Sequence, residues 1–106
     1  MNPLLCAAFV LSGDQSPQVD LTYAKVGDTE LKLDFYPGSG QRAAPLIVWI
    51  HGGGWSGGSR RQAVPARRFQ SLYPEFAVAS IGYRLTREAI FPAQIEDCRK
   101  AVAWLR

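Results

Sequence analysis

The chain has 106 residues, 47% of them apolar and 20% charged, with a formal net charge of +3. That balance excludes a disordered or fibrous chain and sets one domain as the upper limit, able to bury roughly 60 to 70% of the surface its unfolded form exposes. The basic excess is too small for a phosphate-tracking surface, so no nucleic-acid partner is expected. The cluster of Arg60, Arg61, Arg67 and Arg68 is expected at the solvated start and face of a helix.

Leu4-Leu5-Cys6-Ala7-Ala8-Phe9-Val10-Leu11 is an apolar run too short for a stable membrane span but long enough for the hydrophobic part of a secretory signal. No Lys or Arg precedes it, and Ser12-Gly13 supply small residues after it. A secreted or periplasmic location and a cytoplasmic one therefore both stay open. Residues 1–17 are expected to be leader and linker, and 18–106 an incomplete domain. Leu5 ahead of Cys6 argues against lipid attachment. With the leader removed, Cys98 stands alone, so no intrachain disulfide forms and Cys98 is expected to be a small buried hydrophobe.

From Val19 to Val26 apolar and polar residues alternate, Gly27-Asp28 signals a turn, and Leu31 to Tyr36 alternate again before Pro37-Gly38-Ser39-Gly40. This is the pattern of an antiparallel hairpin followed by a loop. Leu46-Ile47-Val48-Trp49-Ile50 is apolar without alternation, as in a parallel strand covered on both faces. A helix over Ala63 to Tyr73 and a second apolar strand over Phe76 to Ile81 complete a strand-helix-strand unit, with a right-handed crossover expected. Phe91, Ile95, Cys98, Val102 and Leu105 recur at helical spacing, with Pro92 suited to the first turn. Glu96, Asp97, Arg99, Lys100 and Arg106 mostly fall on the opposite, solvent side. The fold class is α/β, with a doubly wound, mostly parallel sheet.

The first apolar strand runs into His51-Gly52-Gly53-Gly54-Trp55. Glycines just past the carboxyl end of such a strand, where open α/β sheets bind ligands, let peptide N–H groups approach a developing negative charge. With Tyr83-Arg84-Leu85 and Phe91-Pro92-Ala93-Gln94-Ile95-Glu96-Asp97 following in order, the stretch from Val19 to Arg106 resembles the esterases and lipases of the α/β-hydrolase superfamily. It is most similar to the branch of feruloyl and acetyl-xylan esterases.

The resemblance implies that Gly53 and Gly54 donate backbone hydrogen bonds to a tetrahedral intermediate and that Trp55 shapes the pocket wall. It gives His51 a structural role in holding the loop. It also requires a serine on a sharp strand-to-helix turn, then an acid and a histidine, and residues 1–106 contain no such region. Gly54-Trp55-Ser56-Gly57-Gly58 satisfies G-x-S-x-G, but Ser56 lies inside the glycine loop with further turn residues before the helix, so it is not expected to be the nucleophile.

His51 is the only histidine and no cysteine pair has zinc spacing, so neither a metal nor a cofactor is expected. Arg84, just past a strand, and Asp97, in the helix that follows, are expected to form a bidentate pair. Tyr83 and Trp104 are expected to be packing anchors before pocket walls. The expected substrates are small-molecule or polysaccharide-linked carboxylic esters. The alternatives are an arylformamidase, because those hydrolases share the histidine, two glycines and tryptophan of this loop, and an inactive truncated or binding remnant. In the family's strand order the Leu46 to Ile50 strand would expose an apolar edge if the next strand were missing.

Overall fold

The computed structural model describes residues 16–39 and 44–106. The apolar run at 4–11 lies outside the described residues. β1 (Gln18–Val26) and β2 (Thr29–Tyr36) form the expected antiparallel hairpin, closed where Gly27 adopts a φ of +60°. Their register shifts between Gln18 and Leu21 and again between Thr22 and Ala24. At the first irregularity Asp20 takes a φ of +60°, unusual for a residue with a side chain.

Alternation along β2 turns Leu31, Leu33 and Phe35 to one sheet face and Lys32, Asp34 and Tyr36 to the other. β3 (Leu46–Ile50), α1 (Val64–Leu72), β4 (Ala77–Ile81) and α2 (Ala93–Leu105) follow. The strand order is β1-β2-β4-β3, with β4 antiparallel to β2 and parallel to β3.

That order gives β3 the exposed edge expected for it and corrects its expected coverage on both faces. Both parallel strands are continuous apolar runs, yet only β4, hydrogen-bonded on both sides, is buried along its whole length. β3 stands at the sheet margin, its residues only half-buried and Ile50 exposed. At its last residue lies a groove of about 450 Å³, lined by Ile50, Trp55, Ile95, Cys98, Val102 and Ala103 among others.

The main core lies on the Leu33 face. Leu31, Leu33 and Phe35 pack there with Ala77, Ala79 and Ile81 of β4, Tyr23 of β1, and Cys98, Ala101 and Leu105 of α2. Leu33 is fully buried, and truncating such a leucine to alanine costs about 2–5 kcal/mol. α1 lies against β4 and buries Ala66.

α2 also departs from expectation at its start. The helix begins only after Pro92, so Phe91 is exposed, and Ile95 in the first turn is at the margin of exposure. Asp97, expected at the solvent, is fully buried with Gln94. No helix among the described residues is long and apolar enough to cross a membrane.

Candidate active site

β3 ends at Ile50, and the chain then turns inward at His51, which is buried, before emerging at the exposed Gly52, Gly53 and Gly54. Gly53 has a φ of +127°, Gly54 of +61° and Trp55 of +66°. The first value is accessible in practice only to glycine. Space imposes the same demand at Gly53, where a Cβ would stand 2.2 Å from the Gly57 carbonyl oxygen.

The Gly53 carbonyl accepts from the amides of Ser56 and Gly57, both at 3.1 Å, closing a tight turn. Gly58 brings the loop back over its own start: a Cβ there would lie 2.3 Å from the Gly52 oxygen and 2.6 Å from His51 Nδ1. The amides of Gly53 and Gly54 have no acceptor among the described residues. They are exposed donors at the carboxyl end of a parallel strand.

Aromatic contacts hold this turn from below. The Tyr83 ring stacks on His51 with centroids 4.2 Å apart and planes 9° from parallel, and Trp55 meets Tyr83 edge-on at 5.2 Å. The Tyr83 hydroxyl donates to the His51 carbonyl at 2.7 Å. His51 Nδ1 faces the Gly52 carbonyl at 2.8 Å; a carbonyl can only accept, so the bond assigns the proton to Nδ1. Burial pushes the Tyr83 phenol above its ordinary range, with a smaller push from the neighbouring Cys98. It remains a neutral donor to the loop.

A second anchor runs through Trp55, whose carbonyl accepts from the Thr86 amide at 2.9 Å. Two residues upstream, Arg84 grips Asp97 through Nε to Oδ2 at 2.9 Å and Nη2 to Oδ1 at 2.8 Å, while its amide donates to Oδ2 at 3.0 Å. The Asp97 hydrogen bond raises the Arg84 pKa further. Burial, and secondarily Asp97, pushes the Cys98 thiol up, as suits a buried hydrophobe. Tyr83 is buried and Trp104 partly so, packed against the core.

Residues 51 and 53–55 are thus brought together in one loop, with Arg84 and Asp97 one corner away. Ser56 is not joined to His51: its hydroxyl donates to the Gly53 carbonyl at 3.3 Å. Among the described residues no group of three or more His, Cys, Asp or Glu side chains is placed to hold a metal ion.

Arg60 and Arg61 correct another expectation. Arg60 donates from Nε to the fully buried Asp34 at 3.0 Å and is paired through Nη2 with Asp20. Arg61 reaches Asp20 at 2.8 Å and Asp34 at 3.3 Å. The arginine pair is therefore tied to the hairpin rather than simply solvated. Burial lowers the Arg60 pKa, but the bonds to Asp20 and Asp34 outweigh it and leave the pKa raised. The bonded Arg60 guanidinium in turn holds the Asp20 carboxyl below its usual range. The only sequence signal for this cluster was an aspartate on the outward face of an alternating strand.

A mixed sheet flanked by helices, with a glycine loop following a parallel strand, defines an α/β-hydrolase fold. The chain belongs to the BD-FAE family, whose model matches residues 33–106. It is 38% identical over 61 residues to carboxylesterase NlhH of Mycobacterium tuberculosis, covering 58% of this chain and 19% of that protein. It is 34% identical over 82 residues to an arylesterase of Saccharolobus solfataricus, covering 77% and 27%. The propionate-bound esterase Est2 of Thermogutta terrifontis superposes with a TM-score of 0.69 at 26% identity, over 81% of this chain and 33% of that one. The chain thus spans between about a fifth and a third of the length of these relatives.

Proposed function

We propose that this chain carries the oxyanion hole of a serine-type carboxylic-ester hydrolase. The substrates are short acyl or aryl esters, as small molecules or linked to polysaccharide. One observation carries the proposal: two consecutive glycine amides, Gly53 and Gly54, stand exposed and without acceptors among the described residues at the carboxyl end of β3.

When a nucleophile adds to an ester, the carbonyl oxygen becomes an alkoxide, and fixed amides stabilise that charge more than the ground-state carbonyl. Removing one such donor costs about 2.7–4 kcal/mol. In this role Gly53 and Gly54 donate, Trp55 forms the pocket wall, and His51 holds the loop. Ser56 and His51 are not paired as nucleophile and base, the Ser56 hydroxyl being bonded to the Gly53 carbonyl and His51 Nδ1 to the Gly52 carbonyl. The proposal therefore takes the serine, acid and histidine from sequence beyond Arg106, in that chain order. The carboxylesterase and arylesterase names of its relatives support the substrate class.

The test is hydrolysis of p-nitrophenyl butyrate by the 106-residue chain and by the polypeptide extended in frame past the Arg106 codon. The chain alone should match buffer, and the extended polypeptide should show saturable turnover. Turnover by the chain alone that Ser56→Ala abolishes would move the nucleophile into the loop. A stop codon directly after Arg106, or an inactive extension, would favour a binding role. Preference for an N-aryl formamide over the ester would indicate the arylformamidase chemistry.

A further inference from the structure

Asp34 occupies the sheet face opposite the main core and is fully buried, yet no group on its own strand neutralises it. Its partners arrive from two directions. The Asp20 amide donates to Oδ1 at 2.9 Å from the irregular stretch of β1, and Arg60 Nε donates to the same oxygen at 3.0 Å. Among the described residues Oδ2 has only the Arg61 guanidinium, at 3.3 Å, in an ion-pair contact that lacks hydrogen-bond geometry. Ser80, paired with Asp34 across β2 and β4, donates its hydroxyl to the Arg60 carbonyl at 2.6 Å. Adjacent strands thus grip Arg60 by side chain and by backbone. Gly82 lies beside the arginine: a Cβ there would stand 2.9 Å from the Lys32 carbonyl oxygen and 3.4 Å from Arg60 Cδ and Nη1.

Arg60 is the second residue after Gly58, the glycine that folds the loop back onto the Gly52 carbonyl and His51. Fixing Arg60 therefore fixes where the loop returns. We propose that Asp34 is a positioning residue: through Arg60 it sets the return of the glycine loop and so the placement of the Gly53 and Gly54 amides. The functional meaning of that placement rests on the oxyanion-hole reading, but the placement itself is measurable without turnover.

The test uses amide resonances of the 15N-labelled 106-residue chain in Asp34→Asn, Arg60→Lys and, as a control, Leu33→Val. Arg60→Lys keeps a charge but removes the Nε donor. Leu33→Val loosens the core beside Asp34 without touching Arg60. The expected result is that Asp34→Asn and Arg60→Lys move the Gly53, Gly54 and Gly58 resonances while those of Ala101 and Leu105 in α2 stay in place, and that Leu33→Val leaves the glycines unmoved. Should Asp34→Asn fail to fold, Arg60→Lys alone decides. Unmoved glycines in a folded Arg60→Lys chain, or equal movement in Leu33→Val, would overturn the proposal. Because the readout is spectroscopic, an in-frame extended polypeptide without esterase activity would refute the function and leave this result standing.

Discussion

Replacing Asp97 by asparagine should destabilise the chain far more than loss of a surface ion pair. The carboxylate is fully buried and accepts three hydrogen bonds from Arg84, whose side chain is only 16% exposed. Asparagine offers one acceptor oxygen and an NH₂ that would face the guanidinium, leaving a largely buried cation without its counterion. Breaking a buried pair in this way costs about 3–5 kcal/mol. The residual exposure of Arg84 admits some water and points to the lower end, about 3 kcal/mol. For a domain near 100 residues, 1 kcal/mol moves Tm by about 4–8 °C, so a fall of roughly 12–24 °C is expected. Urea unfolding followed by far-ultraviolet circular dichroism should show a lower midpoint at an unchanged slope. Replacing both partners, Arg84→Met with Asp97→Leu, should recover part of the loss because no charge is then stranded. A loss below about 1 kcal/mol for Asp97→Asn would be that of a solvated pair and would refute the reasoning.

Gly53→Ala should distort the loop, because its Cβ meets the Gly57 oxygen at 2.2 Å, whereas Gly54→Ala meets nothing within 4 Å and should cost only the left-handed penalty of about 1–2 kcal/mol. Amide resonances across 53–58 check this, and equal effects of the two substitutions would contradict it. Burial, then the nearby Asp97 carboxylate, raises the Tyr23 phenol pKa, and its hydroxyl donates to the Gly82 carbonyl at 2.7 Å. A folded pKa above the unfolded one gives stability that is complete below about pH 10 and is lost as pH rises beyond it. Urea midpoints above about pH 10 should therefore fall, and fall less in Tyr23→Phe. In a Cys6→Ser background, Cys98, mostly buried at the wall of the groove and with its thiol pKa raised, should react with a disulfide reagent more slowly than a free thiol, and a rate equal to that of a free thiol would contradict its burial.

The hairpin and the strand-helix-strand unit were legible in the sequence because both patterns are local: alternation over Val19 to Tyr36, then apolar runs interrupted by a helical period. Sheet order was not legible in the residue pattern itself; only the strand order of the family the chain resembles pointed to an exposed edge at Leu46 to Ile50. Leu46-Ile47-Val48-Trp49-Ile50 and Ala77-Val78-Ala79-Ser80-Ile81 are similar apolar runs, and only the pairing of β4 with both β2 and β3 makes one central and the other marginal. The glycine loop was legible because its backbone demands exclude side chains, and Arg84 with Asp97 because strand and helix lie close in sequence. Asp34 with Arg60 was not, because the partners are 26 residues apart and meet only after the hairpin docks on β4.

That contrast bears on how the loop keeps its shape. Three successive glycines carry the largest backbone entropy of any such segment, and the loop contributes few residues to the core. Order has to come from outside it. Tyr83 supplies a stacked ring and a hydrogen bond under His51, Thr86 ties Trp55 to the segment that Arg84 locks onto Asp97, and Arg60 secures the return from the opposite sheet face through Asp34 and Ser80. Apart from the exposed Thr86, each anchor is a buried or half-buried polar contact, so the ordering cost of the glycines is met during folding rather than at the moment an anion arrives. For the proposed oxyanion role, preorganised amides of this kind are what electrostatic stabilisation requires, because donors that had to reorient would spend much of what they gain. The two aspartate–arginine clusters, on opposite faces of one sheet, therefore serve one loop. Their single substitutions should act additively on stability, their sites sharing no partner, while both perturb the same glycine resonances.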